Sequence, residues 1–150
     1  MARFVWRLQR VLDIREKQEQ AMRAELAVLT KKAVSIRQGI MAIRVGLRMM
    51  MDELSGKAPK ERIAEQQIFM KHAEFSENEI RNLKVELENV EILRKKKMNE
   101  ILEKRKFIKG LEKLRARAKK RFIEKANSLE QKELDEFTNM KFGRKAVLSA

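Results

Sequence analysis

The sequence has no cysteine and no tyrosine, and its 150 residues include one proline, one tryptophan, one histidine and five glycines. Without cysteine there are no disulfides and no thiolate metal sites, a usage compatible with a reducing cytoplasm. His72 stands alone, so there is no second imidazole to share a metal and a place on the surface of a helix accounts for it. The glycines are isolated from one another, which excludes a glycine-rich phosphate loop, and no nucleophile elbow is present. Long apolar runs are also missing. The opening MARFVWRLQRVLDIREKQEQ is broken by charges every few residues, so it is neither a signal peptide nor a membrane span, and no later run could cross a bilayer. At 39% charged and 5% aromatic, the chain is too charged and too poor in rings for an ordinary compact core.

What is present is periodic. From Met22 to Leu54 apolar residues fall at Met22, Leu26, Leu29, Ala33, Ile36, Ile40, Ile43, Leu47, Met50 and Leu54, in alternating steps of four and three. A globular-core helix would show a wider stripe of period 3.6. A sustained period of 3.5 is a heptad seam, and it calls for a partner helix along its whole length. Val5, Leu8 and Leu12 continue the seam upstream, with Arg15 and Glu19 interrupting it, so the first helix is expected over about 5–54.

A stop and a restart follow. Gly56 suits the position just past a helix end, where φ > 0 is common, and Pro59 suits the first turn of the next helix. The tip is therefore placed at 55–61. A second seam runs through Phe69, Ala73, Ser76, Ile80, Leu83, Leu87 and Val90. It continues in register to Phe122 and Leu129 with several lysines on it, so helix two is expected over about 62–142. The fold expected is all-α: one domain of 150 residues, a two-helix antiparallel coiled-coil hairpin with a longer second helix.

The register can be proposed as well. If facing residue numbers total 116, Leu47 meets Phe69, Ile43 meets Ala73 and Ile40 meets Ser76. Ile36 then meets Ile80, Leu29 meets Leu87, Leu26 meets Val90, Glu19 meets Lys97 and Val5 meets Leu111. The heptad slide to a total of 123 is set aside because it strands the tip. In this register helix one runs out opposite residue 112 or so, and everything beyond is an unpaired overhang. Gly39 and Gly46 flank the seam, with Gly46 making room for Phe69.

Net charge is +14, and Arg94 to Lys125 alone holds fifteen Lys or Arg against four Glu. Such a stretch suits an acidic partner, or is simply a solvated helix face. Acidic side chains elsewhere sit at helical spacing, as i,i+4 pairing requires, and a pair of helices forms no pocket that excludes water. These features point away from an enzyme and from any cofactor, metal or small-molecule ligand.

Phe4, then Arg7-Leu8-Gln9-Arg10-Val11-Leu12, Arg15-Glu16-Lys17-Gln18-Glu19, Ala21 and Glu25-Leu26-Ala27 resemble the opening of the FliJ family. Leu134-Asp135-Glu136 and the basic end near Arg144-Lys145 are similar too. The resemblance implies a soluble stalk or chaperone of the bacterial flagellar type III export apparatus. It would be cytoplasmic and associated with the inner face of the membrane at the flagellar base. The implied partners are the hexameric export ATPase and the membrane export gate, with export substrates or their chaperones as further ones. Stalk proteins of virulence secretion systems have the same build. The marked basic charge and the Met49-Met50-Met51 tip depart from the family pattern.

Joined to that resemblance, the open end is expected to enter the ATPase ring through Arg115, Arg117, Lys119, Lys120, Arg121, Phe122 and Leu129. The tip, with Met49 and Met51, is expected to face the gate. A reading of another class is a basic coiled coil that binds nucleic acid through Arg94–Lys125. No recognition motif and no interleaved aromatic residues for base stacking support it.

Overall fold

In a computed structural model, which describes residues 2–148, the chain forms α1 (Gln9–Ser55) and α2 (Pro59–Leu148). They make an antiparallel two-helix coiled-coil hairpin in which the second helix is the longer. The chain divides into two compact units, residues 19–103 and residues 1–18 with 104–150.

In the unit of residues 19–103, side chains recede from solvent at the heptad positions. On α1 these are Met22, Leu26, Leu29, Ala33, Ile36, Ile40, Ile43, Leu47 and Leu54. On α2 they are Phe69, Ala73, Ser76, Ile80, Leu83, Leu87, Val90, Arg94, Lys97 and Ile101. The core joins Ala33, Ile36, Ile40 and Ile43 to Ile80, Leu83, Leu87 and Val90.

That membership corrects the register. Leu26 and Leu29 lie outside the cluster, whereas Ile43 lies within it. Facing residues total about 123: Ala33 meets Val90, Ile36 meets Leu87, Ile40 meets Leu83, Ile43 meets Ile80, and Leu54 shares a hollow with Phe69. Cross-helix polar contacts fit the same alignment. Arg94 Nε donates to Thr30 Oγ1 at 3.0 Å, and Lys97 Nζ lies 2.6 Å from Glu25. Lys97 is therefore not the partner of Glu19, which pairs with Arg23 at 2.7 Å.

A slide of one heptad keeps every a position opposite a d position, so the seam pattern alone cannot choose between the two alignments. The polar contacts across the helices and the closure of the tip can. The charged seam residues Arg94 and Lys97 sit beside Leu29 and Leu26, where each reaches an acceptor on the flank of α1.

The tip is not stranded either. The backbone N–H groups of Gly56 and Lys57 donate to Glu53 O and Leu54 O, both at 3.3 Å, which tightens the last turn of α1. Ala58 O accepts from Glu61 and Arg62, making Pro59 the first helical residue of α2, where a missing N–H costs nothing. Arg62 Nη2 then donates to Ser55 O and Lys57 O at 3.2 and 3.0 Å, satisfying carbonyls at that helix end. Lys57 Nζ reaches Glu65 at 2.7 Å.

The glycine expectations need correcting. No glycine has positive φ among the described residues. Gly56 ends the helix through short i→i+3 bonds instead, and a Cβ there would meet only ordinary contacts at 3.6 Å. Gly46 faces open space, because Phe69 lies a heptad away beside Leu54.

Candidate functional site

In the unit of residues 1–18 and 104–150, α1 begins at Gln9 rather than near Val5. Before it, burial alternates: Phe4, Trp6 and Leu8 turn inward, while Arg3, Val5 and Arg7 are exposed. A period of two is that of an extended segment. Val5 is 82% exposed and does not meet Leu111. Leu111 packs instead with Leu12 and Ile108, and Trp6 and Leu8 close over them.

Gln9 N–H donates to Trp6 O at 3.1 Å, a turn that leads into α1, and the non-helical residues before that turn run on along α2. Phe4 thus meets Phe122, ring centroids 5.5 Å apart. Arg115 lies between, its Nε donating to Gln9 Oε1 at 2.8 Å and its guanidinium 5.7 Å from the Phe4 ring centre. Arg15 breaks the seam pattern yet remains half-buried, because its guanidinium stacks 5.1 Å from the centre of the Phe107 ring.

Pairing therefore extends to Phe122, about ten residues past the limit expected from the sequence. The longer alignment supplies seven of those residues and the non-helical segment before α1 supplies the rest. Of the residues assigned to the open end, Arg115 and Phe122 belong to the paired part. Arg117, Lys119, Lys120, Arg121 and Leu129 are exposed. From Asn127 to Leu148 every residue of α2 is exposed, Leu129, Leu134, Phe137, Met140 and Phe142 among them. An open groove of about 420 Å³ opens at the start of this segment, with Ala2, Phe122, Ile123, Ala126 and Leu129 on its walls.

In the other unit, Met49 and Met51 are 66% and 62% exposed near the tip. Met50, Leu54, Ile68 and Phe69 line a shallow hollow of about 270 Å³ beside them. The hydrogen bond to Glu65 raises the Lys57 pKa above its ordinary 10.5, and the bond to Glu25 does the same for Lys97. Among the described residues no group of three His, Asp or Glu is placed to hold a metal ion, and no helix is long and apolar enough to cross a membrane.

The family model described as Flagellar FliJ protein matches residues 4–146. The chain belongs to the FliJ family. Comparison with curated proteins and with solved structures returned no match. The FliJ match begins at Phe4, the residue that closes the paired part against Phe122, and it runs through nearly all of the exposed end of α2. Membership in a structural and chaperone family implies a stalk or chaperone role in flagellar export.

The sequence reading missed Phe4, Trp6 and Phe107 as structural contacts. The signal for the first two was there, in the alternation of Phe4, Trp6 and Leu8 against charged or exposed neighbours. It was masked because Val5, Leu8 and Leu12 also fit a heptad.

Proposed function

We propose that this FliJ-family protein binds the hexameric flagellar export ATPase through the open end of its hairpin and links that ring to the export gate through its tip. The observation that carries the reading is the exposed stretch of α2 beyond the paired part, which follows directly on a basic patch. Arg117, Lys120 and Arg121 share one side of α2, at i, i+3 and i+4, and Lys119 adds a fourth base. A ring with an acidic or carbonyl-rich bore supplies countercharge to these bases and burial to Leu129. The tip, with Met49 and Met51, offers an adaptable apolar contact for the gate. The protein works from the inner face of the membrane, and export substrates or their chaperones are further partners.

Truncation after Leu114 would be a poor test, because it removes Arg115 and Phe122 from the paired part. Charge reversal in the full chain is cleaner. With Arg117, Lys119, Lys120 and Arg121 changed to Glu, the hairpin should keep its helicity by circular dichroism yet lose binding to the ATPase and stimulation of its turnover. Unchanged binding and stimulation would show that this end is not the ring contact.

A further inference from the structure

The exposed end of α2 has a charge pattern unlike the rest of the protein. Residues 122–148 carry five Lys or Arg and five Asp or Glu, so they are neutral in a chain of net charge +14. At 100° per residue, Ala126, Leu129, Leu134, Phe137, Met140 and Leu148 fall on one arc of about 140°. Four charged residues lie within the same arc: Glu130 and Glu133 before Phe137, Lys141 and Arg144 after it. All four are exposed.

Charges placed inside an apolar stripe select what can cover it. A surface of one sign, such as nucleic acid or an anionic bilayer, repels half of the stripe. A second copy laid parallel sets acid against acid and base against base. Laid antiparallel about Phe137, a second copy puts Glu133 opposite Lys141 and Glu130 opposite Arg144. The same alignment sets Leu134 opposite Met140 and Phe137 opposite itself. It also brings the copy's Val147 and Leu148 opposite Asn127 and Ala126, where the 420 Å³ apolar groove lies open.

We infer that two copies of this chain pair antiparallel through residues 126–148, with the end of each α2 seated in the other's groove. The pairing is independent of the ring reading. It covers Leu129, so a paired molecule has part of its open end occupied.

Sedimentation equilibrium of the full chain across a concentration series tests it. The wild-type protein should approach twice its 17.7 kDa chain mass as concentration rises. Glu130→Lys with Glu133→Lys makes the arc wholly basic, and Lys141→Glu with Arg144→Glu makes it wholly acidic. Each double variant should weaken self-association about a hundredfold, because paired opposite charges become like charges. Mixed in equal amounts, the two variants should dimerise again, since every facing pair is then opposite in sign. A wild-type chain that stays monomeric throughout overturns the inference. So does self-association of either double variant at wild-type strength, or a mixture that remains monomeric.

Discussion

The alignment of the two helices can be tested with paired cysteines, which the natural chain lacks altogether. Ala33 and Val90 are 1% and 3% exposed and face each other in the core of the unit of residues 19–103. Helix axes 8–10 Å apart, with Cα atoms on cylinders of about 2.3 Å radius, bring facing Cα atoms within roughly 6 Å, inside the range a disulfide spans. Ala33→Cys with Val90→Cys should therefore oxidise rapidly within one chain. Closing the loop between residues 33 and 90 should raise stability by about 4 kcal/mol over the reduced form. The slid alignment instead sets Val90 opposite Leu26. In the observed fold that pair is offset by one heptad, about 10 Å along the axis, which puts the Cα atoms beyond the disulfide limit of about 7 Å. Leu26→Cys with Val90→Cys should thus stay reduced as a monomer. The readouts are gel mobility with and without reductant, and the denaturation midpoint. Cross-linking within one chain at 26 and 90, with 33 and 90 remaining reduced, would refute the alignment.

Two further outcomes follow from the packing and the charges. Leu111→Ala should cost about 2–4 kcal/mol in urea denaturation because Leu111 is 7% exposed against Leu12 and Ile108, whereas Val5→Ala should stay within about 0.5 kcal/mol because Val5 projects into solvent. The Lys57–Glu65 pair should support the tip at neutral pH and up to the ordinary lysine pKa of 10.5, and its support should fade as pH rises through the raised Lys57 value. Melting curves of wild type and Glu65→Gln should differ at neutral pH and converge as pH rises through that alkaline window; a difference that vanishes near neutrality would contradict the assignment.

Much of the fold was legible because heptad spacing is a local property of the chain. Every apolar seam residue from Leu26 to Leu47 recedes from solvent as its spacing requires, and so do Phe69, Ile80, Leu83, Leu87 and Val90. Pro59 restarts the chain at a first helical position, as its fixed φ and absent N–H favour. The basic residues Arg117 to Arg121 are solvated, as their density on a helix suggested. None of these features depends on which residue lies opposite which.

What lies opposite depends on the tertiary structure. A seven-residue slide changes no residue's face, so the seam permits several alignments, and the choice falls to the contacts Arg94 and Lys97 make across the helices and to how Lys57, Arg62 and Glu65 close the tip. At the other end, Val5, Leu8 and Leu12 fit a heptad while Phe4, Trp6 and Leu8 fit an extended strip. Burial of two rings against α2 decided for the strip. Spacing along the chain thus determined that two helices form and which face each buries. The contacts across them determined the alignment and where pairing stops at Phe122, because those energies belong to pairs of residues far apart in sequence.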